Sequence, residues 1–188
     1  MTRSEHSATP SKADLRATFR RTRAARPEAE RAAFAQRLAT VQHPALSRAT
    51  IVSLFRGVGD EPDTRPMINE LHRRGVRVLL PIVMPDWSLD WAEYVGEDAL
   101  APAGYGLLEP TGPRLGAAAI AEANVVIVPA LAIDREGRRL GQGAGCYDRA
   151  LTFVPTATPV LAVVFDDERL SDPLPEEPHD RRVDGVLP

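Results

Sequence analysis

The sequence predicts an α/β fold of three layers (α/β/α), with helices on both faces of a largely parallel central sheet. Three observations lead to this fold class. Short apolar runs rich in β-branched residues recur and indicate buried strands. Segments with helical spacing separate them, and strand–helix–strand order implies right-handed parallel crossovers. The 188 residues with 44% apolar content suffice for one domain with a core. The predicted strands are Ile51–Phe55, Val76–Leu80, Val125–Val128 and Val160–Phe165.

The N-terminal part is predicted to be helical after a disordered tail. Residues 1–11 are small and polar and form the expected tail, and the domain spans residues 12–188. A first helix runs from Lys12 to Ala25, and Pro27 suits the first turn of a second helix that ends near Ala39. Lys12 and Arg16 lie one turn apart on one helix face, and spacing alone indicates two surface charges.

An acidic loop follows the first predicted strand. Residues 60–64 are Asp-Glu-Pro-Asp-Thr, and they precede a helix from Met67 to Arg74 that Gly75 ends. The loop therefore lies at the carboxyl edge of a parallel strand, where open α/β sheets bind ligands. An alternative explanation for Asp60 and Asp63 is that they stabilise the positive end of the helix dipole.

The section between Pro81 and Pro113 is less regular. Leu89–Tyr94 is a candidate strand. Trp91 and Tyr105 are candidates for lining a flat pocket, although a single tryptophan is more often part of a core. A short helix is expected around residues 117–121, just before the strand that begins at Val125.

The most informative stretch is Gly137–Arg149, GRRLGQGAGCYDR, called the glycine segment below. It follows a predicted strand and precedes a helix. Glycines let the backbone approach a ligand, and the free N–H groups at a helix start favour anions. Arg138 and Arg139 add cations that can bind phosphate oxygens, and Asp148 is a carboxylate of the kind that holds Mg²⁺ beside phosphates. The segment fits neither a Walker A loop nor the register of GxGxxG, so a flexible hairpin is the alternative.

The stretch from Val126 to Leu151 resembles the signature of the 5-formyltetrahydrofolate cyclo-ligase (methenyltetrahydrofolate synthetase) family. That signature is Pro-Gly-hydrophobic-x-Phe-Asp followed by Gly-x-Arg-Leu-Gly-x-Gly-x-Gly-Tyr-Tyr-Asp-Arg. The sequence departs from it at Cys146, which replaces the first tyrosine, and at Gln142 and Ala144, where many members have Arg and Lys. The matching residues are Pro129, Asp134, Gly137, Arg139, Leu140, Gly141, Gly143, Gly145, Tyr147, Asp148 and Arg149.

The resemblance implies an ATP- and Mg²⁺-dependent enzyme that closes 5-formyltetrahydrofolate to 5,10-methenyltetrahydrofolate and releases ADP and phosphate. It also implies a Rossmann-type fold similar to that of sugar-phosphate isomerases and CoA-transferases. Residues 178–184 resemble the family's Pro-His-Asp-x-x-Val-Asp ending, which makes Asp180 the second expected Mg²⁺ ligand beside Asp148. Arg139 and Asp148 are the expected catalytic residues. The expected folate-binding residues are Glu61, Trp91, Tyr105 and Tyr147. The expected ATP-binding residues are Lys12, Arg16, Arg138, Arg139, Leu140, Gly141, Gln142, Gly143, Ala144, Gly145, Cys146 and Tyr147.

Two other functions remain open at this point. Cys146, Gln142 and Ala144 remove a ring and two cations from the family pattern, which is compatible with a folate- or nucleotide-binding relative that lacks ligase activity. A sugar-phosphate isomerase or CoA-transferase-type enzyme shares the broad architecture, and fold does not give function. Cys146 at a helix start is a conceivable nucleophile, but a small packing residue is the favoured interpretation.

Charge and cysteine content restrict the function class further. A net charge of −3 argues against a general nucleic-acid binder, and a single cysteine excludes an intrachain disulfide. No apolar run approaches the length of a membrane span or a secretory segment. The expected partners are therefore small molecules, a reduced folate and ATP, with no nucleic acid and no membrane. The expected protein is cytoplasmic and is a monomer or a weak homodimer.

Overall fold

A six-stranded sheet organises the computed structural model, which describes residues 10–178 and 180–188. The strands are β1 (Ile51–Ser53), β2 (Arg77–Val83), β3 (Leu89–Glu93), β4 (Val125–Pro129), β5 (Val160–Val163) and β6 (Gly185–Leu187). Across the sheet their order is β6-β5-β4-β1-β2-β3, and only the β2–β3 pair is antiparallel. The α/β fold with a largely parallel sheet is confirmed.

Alternate residues of each strand pack against different layers, as the two-residue period of a strand requires. Val78 and Leu80 belong to the core beneath α2 and α4, whereas Leu79 belongs to the core on the opposite face. That opposite layer is thinner than the sequence predicts, because 3-10 turns and the short α5 form it. The helices are α1 (Lys12–Ala24), α2 (Glu28–Ala39), α3 (Pro44–Ser47), α4 (Arg65–Arg73) and α5 (Cys146–Ala150). The 3-10 turns are Glu97–Ala99, Gly104–Gly106, Ala117–Glu122, Leu151–Phe153 and Asp166–Glu168.

Short strands outside the central sheet were not predicted. Leu100–Pro102 pairs with Leu108–Pro110, and Ala132–Asp134 lies between Arg139–Leu140 and Arg169–Leu170. In the second of these ladders, Arg139–Leu140 of the glycine segment pairs antiparallel with Ala132–Asp134, so this part of the segment is a paired strand rather than a flexible hairpin. Within the described part of the chain, no helix is both long and apolar enough to cross a membrane.

The predicted start of the first helix at Lys12 is confirmed. Ser11 is its N-cap: the Ser11 hydroxyl accepts a hydrogen bond from the Asp14 N–H, and the Asp14 carboxylate accepts one from the Ser11 N–H. Residues 1–9 of the predicted tail lie outside the described residues.

A buried ion pair attaches α1 to the segment that follows β5. The Arg23 guanidinium donates to both carboxylate oxygens of Glu168 at 2.7 and 2.8 Å and to the Ala130 carbonyl at 2.6 Å. Glu168 also accepts a hydrogen bond from the Phe165 N–H. Since the two side chains are 3% and 0% exposed, the pair depends on complete mutual hydrogen bonding.

Replacing Arg23 with Met leaves the buried Glu168 carboxylate without its cation. We expect Arg23→Met to lower the free energy of unfolding by about 3–5 kcal/mol, the usual cost of breaking one half of a buried pair. Urea denaturation followed by circular dichroism measures this change. Arg37 pairs with Asp166 at a similar distance but is 53% exposed, so Arg37→Met should cost less than about 1 kcal/mol. Equal losses in the two variants would contradict the role given to burial.

Candidate functional site

A cavity of about 240 Å³ lies at the carboxyl ends of the strands, beside β1 and β4. The chain continues from β1 to its neighbour β2 in one direction across the sheet, and from β4 to its neighbour β5 in the other. Ligands bind at such a switch point in open α/β sheets. Apolar side chains of Phe55, Leu80, Val83, Leu89, Leu107 and Leu108 form part of its wall. The polar lining comes from α1, the acidic loop, the glycine segment and the C-terminal segment, residues 173–184. These polar-lining residues include Lys12, Arg16, Arg56, Glu61, Arg139, Gly141, Gln142, Gly143, Gly145, Tyr147, Asp148, Glu177 and Asp180.

Asp134 anchors the turn from which the glycine segment starts. Its carboxylate accepts hydrogen bonds from the N–H groups of Glu136, Arg138 and Leu174 at 2.8–2.9 Å. Burial works against ionisation, but these donors and the Arg138 guanidinium outweigh it and lower the pKa of Asp134. One buried carboxylate thus joins the glycine segment to the C-terminal segment.

Gly137 permits the close approach of these two segments. Its φ is +78°, and a Cβ added there would lie 2.2 Å from the Val183 carbonyl oxygen. The Val183 N–H donates in turn to the Gly137 carbonyl at 2.9 Å. Any side chain at this position would therefore separate the C-terminal segment, which contains Asp180, from the glycine segment.

Helix α1 contacts the glycine segment through two arginines. Arg16 Nε donates to the Gly141 carbonyl at 2.9 Å, and Arg20 donates to the side-chain and backbone oxygens of Gln142. Arg16 lines the cavity, as expected for an ATP-binding residue. Arg20 was not predicted. Arg20 bonds to Gln142, the position at which many family members have arginine.

Two ion pairs join the expected phosphate-binding cations to the expected metal-binding carboxylates. Lys12 Nζ lies 2.5 Å from Asp180 and 3.1 Å from Glu177, and Arg139 Nη2 lies 2.7 Å from Asp148. Burial opposes the charge on Lys12, but its two acidic partners outweigh this effect and raise the pKa of the ammonium. Glu177 was not predicted as a site residue, because it directly precedes the first residue of the Pro-His-Asp-x-x-Val-Asp pattern.

Arg138 lies outside the cavity, which corrects its expected role in ATP binding. Its guanidinium pairs with Asp134, Glu136 and Glu176. The physical reason is strand geometry: Arg139 and Leu140 pair with Ala132 and Ile133, and consecutive side chains of an extended segment point in opposite directions. Arg139 therefore faces the cavity while Arg138 faces the surface.

Glu61 lines the cavity from the acidic loop. Its carboxylate accepts hydrogen bonds from the Val58 N–H at 3.2 Å and from the Gln142 amide at 3.5 Å. Burial raises the pKa of this carboxyl above its ordinary value. The neighbouring acids have other contacts: Asp60 pairs with Arg31, and Asp63 accepts from the Arg65 N–H at the start of α4.

Of the three aromatic residues expected to bind folate, only Tyr147 lines the cavity. Trp91 is fully buried in the core, because the 3-10 turn Ala117–Glu122 covers its face of the sheet. It packs edge-on against Tyr147 with the ring centroids 6.5 Å apart. Tyr105 is 74% exposed and contacts Trp87 on a neighbouring surface. This placement corrects the expectation that Trp91 and Tyr105 contact folate directly.

Burial also determines the states of Tyr147 and Cys146. It raises the pKa of the Tyr147 phenol, whose hydroxyl is buried and has no hydrogen-bond partner within residues 10–178 and 180–188. It likewise raises the pKa of the Cys146 thiol, which packs at the edge of the core. An activated nucleophile needs the opposite shift, so the direction of this shift favours the packing interpretation of Cys146.

Carboxylates that suit Mg²⁺ are present in the cavity, although they do not form a closed metal cage. Over the described ranges, no group of three or more His, Cys, Asp or Glu side chains could hold a metal ion. Asp148 and Asp180 both line the cavity beside Lys12 and Arg139. One or two carboxylates with phosphate oxygens and water are the donor set that Mg²⁺ usually takes, and these residues fit it.

A model of the 5-formyltetrahydrofolate cyclo-ligase family matches residues 8–188. The chain belongs to this family. A cyclo-ligase of this name from Mycolicibacterium smegmatis is 41% identical over 182 residues, which cover 94% of this chain and 93% of the relative. The Escherichia coli K12 cyclo-ligase is 33% identical over 135 residues, covering 70% and 74%. The family decides against the isomerase and CoA-transferase alternatives, because the match extends over the residues that form the cavity.

Solved structures of cyclo-ligase relatives share the fold. The Aquifex aeolicus 5,10-methenyltetrahydrofolate synthetase has a TM-score of 0.79 and 25% identity, covering 93% of this chain and 88% of its own. The Mycoplasma pneumoniae 5,10-methenyltetrahydrofolate synthetase has a TM-score of 0.73 at 15% identity, covering 94% and 98%, and supports the fold alone.

The raised pKa of Glu61 predicts a pH-dependent cost to stability. A carboxyl group that ionises less readily in the folded state loses stability as pH rises from its ordinary value of 4.5 through the folded pKa. Glu61→Gln cannot ionise and keeps the acceptor for Val58. We expect it to be more stable than the wild type at pH 7, with the difference disappearing below about pH 4.5. Urea denaturation between pH 4 and 8 tests this, and a difference independent of pH would contradict it.

Proposed function

We propose that this protein is an ATP- and Mg²⁺-dependent 5-formyltetrahydrofolate cyclo-ligase, which forms 5,10-methenyltetrahydrofolate, ADP and phosphate. The observation that carries the proposal is a single cavity that combines phosphate-binding cations, two carboxylates suited to Mg²⁺, and a partly apolar wall with Glu61. A reduced folate and ATP are the proposed partners, and residues 12–188 are the proposed functional domain. The proposed location is the cytoplasm.

Lys12, Arg16 and Arg139 are the proposed contacts to the triphosphate. They come from two elements that the Arg16–Gly141 hydrogen bond holds together. Gly143 contributes an open backbone, because any side chain there would touch the Arg16 guanidinium. Cations and backbone N–H groups in a partly buried cavity neutralise the charge of a transferring phosphoryl group without moving.

Asp148 and Asp180 are the proposed ligands of Mg²⁺. When bound, the ion would neutralise phosphate charge and orient the terminal phosphoryl group. Asp148 is held in place by Arg139 and by the Arg181 N–H at 3.3 Å, and Asp180 by the Glu177 N–H at 2.7 Å. Both carboxylates are therefore oriented by this chain's own donors.

Glu61 and Tyr147 are the proposed contacts to the flat ring system of the folate. A carboxylate accepts hydrogen bonds from ring N–H donors, and an aromatic ring stabilises a planar ligand by about 0.5–1.5 kcal/mol beyond the area it buries. Trp91 supports this arrangement from the core, because it limits the orientation of the Tyr147 ring. The apolar wall covers the remaining ring surface.

The proposed chemistry needs positioning more than a covalent protein nucleophile. The formyl oxygen attacks the terminal phosphorus of ATP, the bond to ADP breaks, and an iminium phosphate forms. The neighbouring folate nitrogen then bonds to the formyl carbon and loses its proton, and the carbon–oxygen bond breaks to release phosphate. Holding the reactants together in a cavity whose cations neutralise phosphate charge accounts for the residues present.

A direct assay tests the proposal. Purified protein mixed with ATP, Mg²⁺ and 5-formyltetrahydrofolate should produce the absorbance of methenyltetrahydrofolate, and omission of either ATP or Mg²⁺ should abolish it. A protein that binds ATP but forms no product at saturating folate would instead be a binding relative without ligase activity.

Arg139 and Arg138 form a matched pair for testing nucleotide binding. Arg139→Ala removes a charge-assisted contact worth about 1.5–3 kcal/mol, so the Kd for Mg·ATP should rise roughly 10- to 150-fold. Arg138→Ala should leave this Kd within about twofold, because its partners lie outside the cavity. Isothermal titration calorimetry measures both. An unchanged Kd in Arg139→Ala would refute the assignment.

Because Cys146 replaces a tyrosine, we expect this protein to bind folate more weakly than family members that have tyrosine at this position. One stacking contact is worth about 0.5–1.5 kcal/mol beyond area burial, so Cys146→Tyr should lower the KM for folate about 2- to 12-fold. The kcat should change little, since the phosphate and Mg²⁺ contacts are retained. Steady-state kinetics with folate varied at saturating ATP separates the two constants. A fall in kcat without a decrease in KM would show that the added ring only blocks the cavity.

A further inference from the structure

We propose that the Lys12–Asp180 and Arg139–Asp148 ion pairs exchange partners when nucleotide and divalent cation bind together, so that each ligand strengthens the binding of the other. This inference rests on the proposed function and concerns the regulation of the same cavity. It starts from one observation: each expected phosphate-binding cation in these pairs is bonded to a carboxylate expected to bind metal.

In this geometry, both ion pairs oppose the binding of nucleotide alone or of a divalent cation alone. Arg139 is 4% exposed, and Lys12, Asp148 and Asp180 are 15–18% exposed, so little solvent screens either pair. A triphosphate alone must compete with Asp148 and Asp180 for its cations. A divalent cation alone must displace Lys12 and Arg139 from their carboxylates.

Binding both ligands removes this competition. The divalent cation takes the two carboxylates while the phosphate oxygens take the two cations, and no charge is left buried without a partner. The coupling is reciprocal, since a change in affinity that one ligand causes for the other must act equally in both directions. Typical coupling between two ligands of one protein is roughly 5- to 150-fold.

Glu177 gives Lys12 a second partner during the exchange. Its carboxylate lies 3.1 Å from Lys12 Nζ, and its N–H donates to Asp180. When Asp180 turns to the metal, Glu177 retains the ammonium at the cavity. It is a positioning residue for Lys12 rather than a ligand to either substrate.

Removing one carboxylate tests the exchange, because ion pairs that kept their partners on ligand binding would not give tighter nucleotide binding. Without metal, Asp180→Asn and Asp148→Asn should bind AMP-PNP, a non-hydrolysable ATP analogue, at least about fivefold more tightly than the wild type. The reason is that Lys12 keeps only Glu177 as an acidic partner in the first variant, and Arg139 loses its carboxylate partner in the second. With Mg²⁺, the same variants should bind it more weakly. Calorimetry in EDTA and in Mg²⁺ measures both affinities without turnover.

Two variants separate exchange from a general loss of negative charge. Glu109 lines the same cavity and accepts a hydrogen bond from the Val83 N–H rather than from either cation, so Glu109→Gln should leave the affinity in EDTA within about twofold. If Lys12 carries the gain, the Asp180→Asn effect should disappear in a Lys12→Met background. Lys12→Met alone should bind Mg²⁺ more tightly in the absence of nucleotide.

The outcomes distinguish this inference from the proposed function. If the wild type binds Mg²⁺·AMP-PNP and cyclises folate, but neither Asp variant gains affinity in EDTA, the exchange is wrong and the function stands. A gain that persists in the Lys12→Met background also overturns the exchange. If the wild type binds no AMP-PNP with Mg²⁺, the proposed function fails, and the exchange fails with it.

Discussion

The position of α1 is the constraint on which the site depends, and the buried Arg23–Glu168 pair sets it. Arg23 lies near the C-terminal end of α1, while Lys12 and Arg16 lie at the end that reaches the cavity. Leu15 and Phe19 pack on the small sheet beneath the glycine segment, and Arg16 and Arg20 bond to its backbone. Because a rigid helix joins these contacts, the buried ion pair at one end determines where the cations lie at the other.

The order of the strands explains why residues far apart in sequence meet at this cavity. The chain leaves β1 toward β2 on one side and leaves β4 toward β5 on the other, which opens a crevice at their carboxyl ends. The acidic loop after β1 and the glycine segment after β4 fill that crevice. Asp134 then attaches the C-terminal segment through Leu174, so Asp180 arrives beside Lys12. Each functional group therefore has an identifiable structural support.

Sequence reasoning was reliable where local chemistry decides structure and failed where tertiary pairing decides it. The apolar strands, Gly75 at the end of α4 and the glycine segment follow from residue type and spacing. The different directions of Arg138 and Arg139 depend on a two-residue ladder with Ala132 and Ile133, which no periodicity reveals. Trp91 is buried because a 3-10 turn from a later part of the chain covers its face of the sheet, and Glu177 reaches Lys12 only through the folded C-terminal segment. These contacts join distant parts of the chain.

Buried polar atoms without partners explain why this cavity is adapted to binding rather than to stability. Within residues 10–178 and 180–188, such atoms include Arg56 Nε, Arg139 Nε and the Tyr147 hydroxyl, all on side chains that line the cavity. Each costs about 1–3 kcal/mol of desolvation that an apolar residue would avoid. Burial also raises the pKa of Glu61, which adds a further cost at neutral pH. Other such atoms in the described part of the chain, Arg26 Nε, Ser53 Oγ and Trp91 Nε1, lie on residues that do not line the cavity. The three that do line it leave hydrogen-bonding capacity at the cavity that a core selected for stability alone would not keep.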